Sequence, residues 1–438
     1  MTLAGVYQQL VAGELERRET HALLAPLALT DWQATWRNLQ RLARSAEEQR
    51  ALAELMPGLL SALQGAADPD RVLANLERLA QRAPQRPALW AYLIDNPRAV
   101  QLLITLFAGS QFLTEILLRN PDQLGLLTDR RRLTQRKSVA QLCIEARQAL
   151  EGAQTVRQQL DALRRFQRRE LLRIGAGDLF ALLDLPAVTG QLSRLAESMI
   201  RTCLDIVVRN EPQLLDSFVV VALGKLGGEE LNYSSDIDLV FITTAPSRCR
   251  RLGERLIEAL SGITDEGFLY RVDMRLRPWG NDGPLVSSLN SYVTYMRHHA
   301  QLWEKQALLK ARPVAGSLQL GREFTYQAES ILFGSQAEEN QQRQQVRAAI
   351  RAMKERTEAH LRQIGRDWGE VKLGIGSIRD VEFVTQYLQL VHGAQQPRLR
   401  SRNTLEALRR LHAGGWLTSD QYRVLSDGYI FLRTIEHH

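Results

Sequence analysis

Cysteine is scarce: Cys143, Cys203 and Cys249 are the only three in 438 residues. They lie far apart and match neither a zinc spacing nor a disulfide framework, so a reducing cytoplasm is the expected compartment. Long apolar runs are also missing. No stretch approaches the ~18 residues needed to span a bilayer, and no membrane partner is expected. The opening Met1-Thr2-Leu3-Ala4-Gly5-Val6 lacks the basic-then-apolar pattern of a secretory signal. Charge of one sign does not dominate: 56 Lys and Arg against 49 Asp and Glu leave a net +7. That surplus can favour nucleotides or nucleic acids. Here it is modest for the size and spread over helical segments, which makes nucleic acid the less expected partner.

What is present suits a globular protein of two or three domains. Residues 1 to about 205 read as successive helices. Thr30 with Gln33 resembles a capping box, and Asp68-Pro69 a cap followed by proline at the first helical position. Val72, Leu73, Leu76 and Leu79 recur at helical spacing. Asn96-Pro97 and Asn120-Pro121 each open an apolar helical run. Arg164 to Arg169 is the most basic stretch and reads as an exposed helix face, with Leu163, Phe166, Leu171 and Leu172 on its apolar side. Short β-prone runs follow at 218–223, 237–242 and 268–276, separated by glycine-rich turns. Helices return from about 335, including a long one over 341–366 and starts at Asn403/Glu406 and Thr418/Gln421. The pattern is still helical at Glu436-His437-His438, so the polypeptide is expected to continue.

The chemistry concentrates in the central segment. Gly224-Lys225-Leu226-Gly227-Gly228 follows the first strand, and Ser234-Ser235-Asp236-Ile237-Asp238 opens the second. A strand has period two, so Asp236 and Asp238 share one face while Ile237 and Leu239 point into the core. Two carboxylates on one face call for a compensating cation, and Mg²⁺ prefers such oxygen ligands. In Tyr270-Arg271-Val272-Asp273-Met274-Arg275-Leu276-Arg277-Pro278 the odd positions 271 to 277 are charged, so Asp273 is expected among Arg271, Arg275 and Arg277 on one face. Two metal ions roughly 3.5–4 Å apart on three carboxylates can stabilise the entering and leaving oxygens at a phosphorus atom. The expected metal ligands are therefore Asp236, Asp238 and Asp273. Gly227, Gly228, Ser234, Ser235 and Lys225 are expected around a phosphate, with the arginines gripping its oxygens. No Walker loop precedes Lys225, and Gly374-x-Gly376 is too short for a dinucleotide fingerprint and reads as a turn.

At these residues the sequence resembles the nucleotidyltransferase superfamily with a DNA polymerase β-like palm. It resembles more closely the bacterial glutamine synthetase adenylyltransferase/adenylyl-removing family. The same resemblance extends to Trp303-Glu304-Lys305-Gln306-Ala307-Leu308-Leu309-Lys310-Ala311-Arg312-Pro313, to Val371-Lys372-Leu373-Gly374 and to Ile378-Arg379-Asp380-Val381-Glu382-Phe383. It implies an α+β, mostly helical fold: an N-terminal helical domain over 1–160, a palm over 161–325 and a C-terminal helical bundle over 326–438. It also implies a chain matching the N-terminal, adenylyl-removing half of a two-part enzyme. The implied reaction is phosphorolysis, in which phosphate attacks the α-phosphorus of AMP on a tyrosine of glutamine synthetase and ADP leaves. Adenylyl transfer from ATP uses the same site, and the residues alone do not choose the direction. Glu304 and Lys310 are expected to line the cleft, or equally to form a structural ion pair. Lys372, Arg379 and Glu382 are weaker candidates, because Ile375 and Ser377 stand where the family has proline and a second glycine. The PII signal-transduction protein and glutamine are implied as effectors. The non-enzyme alternative is a regulatory or nucleic-acid-binding helical protein with a degenerate palm.

Overall fold

The structure, a computed structural model, describes residues 3–27, 29–334, 339–366 and 368–437. It is a mostly helical α+β protein with one small mixed sheet. Among the described residues no helix is long and apolar enough to cross a membrane. The chain divides into two compact units. One comprises residues 1–136 and 168–184, the other residues 137–167 and 185–438. The helix Val156–Leu179 contributes to both, so the position near 160 falls inside a continuous helix.

The first unit is built of helices. Asp68 accepts from the Arg71 amide with Pro69 at the start of the helix Pro69–Arg82. That helix buries Val72, Leu73, Leu76 and Leu79, the stripe expected from the spacing. The cap of the helix Trp32–Leu42 is Asp31, which accepts from the Gln33 and Ala34 amides, and not Thr30, whose amide donates to Asp70. Pro97 opens a full helix, Pro97–Gly109, whereas Pro121 opens only a 3-10 turn, Pro121–Gln123, followed by the short helix Leu124–Thr128.

The second unit carries the sheet: β1 (Phe218–Ala222), β2 (Ile237–Thr243), β3 (Val272–Asp273), β4 (Val286–Ser288) and β5 (Arg312–Gly316). β1 lies between antiparallel β2 and β5. The far edge of β2 pairs with two parallel strands, β3 at its start and β4 at its end. All five β1 residues are buried, so helices cover both faces of the sheet centre. On one face Val219, Val221, Val240 and Ile242 pack with Tyr292, Met296, Phe324, Val346 and Leu390. These last five belong to the helices Leu289–His298, Leu318–Phe333, Glu339–Gln363 and Ile378–His392. The C-terminal helices share a second cluster around Val381, Leu408, Leu411 and Tyr429. Their starts follow the expected chemistry: Asn403 accepts from the Glu406 amide, and Thr418 and Gln421 cap each other reciprocally.

The basic stretch differs from expectation. Arg164 is 1% exposed and donates to Asp161 and to the Gly262 carbonyl, and buried Gln167 donates to the Leu269 carbonyl. These two side chains anchor the helix to the loop ahead of β3 instead of facing solvent.

Candidate active site

The face of β2 that carries Ile242 and Val240 into the core continues, at period two, to Asp238, and Asp236 stands one residue ahead of the strand. Ile237 and Leu239, on the other face, are fully buried. The parallel register sets Ile237 against Val272 and Asp238 directly against Asp273. Opposed residues of paired strands share a face, so the two carboxylates stand side by side. Asp236 and Asp238 both line a cleft of about 1030 Å³ with Asp273. The cleft's other residues come from the helix Gly224–Gly227, from the loop at Asn232, Ser234 and Ser235, from the segments 271–276 and 303–310, from Lys372, and from the helices that begin at Glu339, Ile378 and Ser419.

Burial, then the neighbouring charges of Asp273 and Asp236, push the Asp238 carboxyl from 3.8 up to about 6. Asp273 moves the other way, because Arg275 donates to it from its guanidinium and its backbone amide. Asp236 lies 2.6 Å from Arg271 Nε, and Arg271 also donates to the Ser234 carbonyl. With two carboxylates turned onto arginines, no three His, Cys, Asp or Glu side chains among the described residues are gathered as a ready metal cluster. The donors themselves suit a hard cation: three carboxylates on one cleft wall, one holding a charge that its surroundings oppose.

Gly224 makes this geometry possible. Its φ is +52°, and a Cβ there would lie 2.3 Å from Asp238 Oδ2. Gly227 and Gly228 do not line the cleft. A Cβ on Gly227 would meet the Lys310 carbonyl oxygen at 1.9 Å, and one on Gly228 the Arg402 carbonyl at 3.0 Å. These glycines admit backbone, not phosphate, and the expected glycine turn is a short helix.

Arg277 is a second correction. β3 ends after two residues, and the chain turns between Met274 and Arg277. Arg277 consequently donates to the carbonyls of Met274, Asn281 and Gly283 and does not line the cleft. Glu304 is a third. It is buried, accepts from Tyr295 Oη and the Gln301 amide, and caps its own helix. Lys310 does line the cleft, yet its ammonium is held 2.7 Å from both Glu230 and Glu382. Burial alone would lower its pKa; the two carboxylates outweigh burial and raise it. Burial works to raise Glu382, and Lys310 reverses that.

Lys225, Ser234, Ser235, Arg271, Arg275, Lys372 and Arg379 all line the cleft as well. The loop before Ile378 keeps its turn, with Gly376 at φ +72°. Ile375 is 82% exposed there and Ser377 is buried. Glu436, Asn232, Arg356, Trp303 and Phe383 also line the cleft and carried no sequence assignment of their own. Trp303 and Phe383 sit inside motifs already noted, and Asn232 falls between two of them; Glu436 and Arg356 lie on helices with no local signature.

The sequence profile of the glutamate-ammonia ligase adenylyltransferase family matches residues 100–327, just over half the chain. That of GlnD PII-uridylyltransferase matches residues 344–438. Proteins described as bifunctional glutamine synthetase adenylyltransferase/adenylyl-removing enzymes are similar along most of the chain. Those of Streptomyces avermitilis, Nitrosococcus oceani and Hahella chejuensis are 36%, 34% and 36% identical, over 91%, 88% and 76% of this chain. The chain spans 40%, 43% and 37% of their respective lengths. The profile match encloses all three cleft aspartates, and the chain belongs to the glutamate-ammonia ligase adenylyltransferase family.

Proposed function

We propose that this cleft removes AMP from an adenylylated tyrosine of glutamine synthetase by phosphorolysis, taking up phosphate and releasing ADP. The observation that carries the reading is the in-register pair Asp238 and Asp273, with Asp236 on the same cleft wall. The names of the relatives carry glutamine synthetase together with both adenylyl transfer and adenylyl removal; the removing direction rests on the resemblance of this chain to the N-terminal half.

Asp236, Asp238 and Asp273 would hold Mg²⁺, with Asp236 and Asp273 leaving Arg271 and Arg275 to do so. The bound ion would neutralise charge at the α-phosphorus and align the entering and leaving oxygens. Arg271 and Arg275, once released, would take non-bridging phosphate oxygens, a task suited to guanidinium. Lys225 would serve the same charge from the adjacent helix. A phosphate oxygen attacks the α-phosphorus, the bond to the tyrosine oxygen breaks, and the phenolate takes a proton from solvent. Trp303, Met353 and Phe383 give the cleft apolar lining of the kind a nucleobase needs.

The same reading takes the PII signal-transduction protein and glutamine as effectors. The PII-uridylyltransferase match over 344–438 supports a link to PII.

The test is ADP release from adenylylated glutamine synthetase supplied with phosphate and Mg²⁺, lost in Asp236→Ala and Asp238→Ala. Transfer of label from ATP to unmodified glutamine synthetase, without ADP release in the first assay, reverses the assigned direction.

A further inference from the structure

Three cations and one amide surround a single carboxylate at the cleft wall. Glu436, near the end of the helix Ser419–His437, accepts from Lys225 Nζ at 2.5 Å and from Asn232 Nδ2 at 3.0 Å. Arg433 Nε lies 3.3 Å away and Lys372 Nζ 4.0 Å away. The Glu436 side chain is 17% exposed. Its setting is fixed from below. Arg433, 1% exposed, donates to the Asn232 amide oxygen at 2.7 Å and to the Glu230 carbonyl at 2.6 Å. Asn232 is thereby oriented with its NH₂ toward Glu436. Convergent ammonium, guanidinium and amide donors are the surroundings of an anion, and here the anion belongs to the chain itself. Lys225, on the short helix Gly224–Gly227, is therefore already paired.

We propose that Glu436 is a positioning residue for Lys225. Its carboxylate holds the ammonium at the cleft wall while the cleft is empty and competes for it with an incoming anionic substrate. The competition rests on the nucleoside-phosphate reading of the cleft; the ion pair does not. Burial works against the Lys225 charge, so an ammonium deprived of Glu436 is drawn to whichever anion comes next.

The test compares the full chain with E436Q, K225A and the double variant K225A/E436Q, each checked for an intact melting transition. Two readouts are needed. The first is acylation of Lys225 by an amine-directed reagent, quantified by peptide mass spectrometry. The second is ADP affinity by calorimetry in the presence of Mg²⁺. E436Q is expected to acylate Lys225 about five-fold faster and to bind ADP about three-fold more tightly, effects of the size expected for one partly buried ion pair. In the K225A background E436Q is expected to leave ADP affinity unchanged. Unaltered acylation overturns the proposal. So does an affinity gain that persists without Lys225, which is general charge removal. Accelerated acylation in a protein that binds no ADP keeps the positioning pair and removes the nucleoside-phosphate reading instead.

Discussion

Asp238 and Asp273 occupy opposed positions on the parallel strands β2 and β3. Two acidic side chains in register are an unfavourable neighbour pair. The strain is visible in Asp238, whose carboxyl is pushed up to about 6 by burial and then by Asp273 and Asp236.

That strain has a thermodynamic sign. Between the ordinary carboxyl value of 3.8 and about 6, the folded protein binds the Asp238 proton more tightly than the unfolded chain does. Stability from this group is greatest in acid and falls as pH rises through that window. At pH 7.5 without divalent cations, Asp238→Asn is therefore expected to stabilise the fold by on the order of 2 kcal/mol. Mg²⁺ is expected to stabilise the wild type and not the variant. Urea denaturation with and without Mg²⁺ checks both; a destabilised D238N contradicts the reading.

Lys310 acts differently. Its ammonium neutralises two carboxylates from separate segments, Glu230 and Glu382. Lys310→Met is expected to destabilise by about 3 kcal/mol, because buried Glu230 and partly buried Glu382 are left without their countercharge. The measurement is the chemical-denaturation midpoint at pH 7.5.

Glu304 and Arg277 separate structure from chemistry. Glu304→Ala removes a helix cap and the acceptor of the Tyr295 hydroxyl. It is expected to cost about 1–3 kcal/mol of stability. Arg277→Ala loosens the loop that it ties to Gly283. Neither is expected to change ADP release at saturating substrate by more than about two-fold at a temperature where the variants stay folded, since neither residue lines the cleft. A large loss of turnover in either would return it to the site.

Gly224→Ala and Gly227→Ala are expected to fail in different ways. A Cβ at 224 presses on the Asp238 carboxylate, so Mg²⁺-dependent stabilisation is lost first. A Cβ at 227 presses on the Lys310 backbone carbonyl, so the melting temperature falls first. Thermal melts with and without Mg²⁺ distinguish them.

Asp238 and Asp273 were legible in the sequence because strand parity is a local rule; Asp236 keeps the same spacing and reaches the same cleft although it stands one residue ahead of β2. The same rule failed at Arg277, because parity holds only while the strand lasts and β3 stops at Asp273. Gly227 and Gly228 were misread because a glycine that admits a distant backbone has the same local pattern as one that admits a phosphate. The reach of Glu436 to a lysine 211 positions earlier has no local signature at all. Helix starts were read well at Asp68, Asn403 and Thr418, and by one residue wrongly at Thr30, where the neighbouring Asp31 is the cap. The basic stretch was misread because burial of Arg164 depends on a carbonyl 98 positions away.

The most direct test is a crystal structure of the protein soaked with Mn²⁺, read from its anomalous difference map. The expected result is a peak about 2.1 Å from carboxylate oxygens of Asp238 and Asp273, with Asp236 beside it and Arg275 released. A map without a peak there, and with Asp273 still held by Arg275, contradicts the proposed metal site.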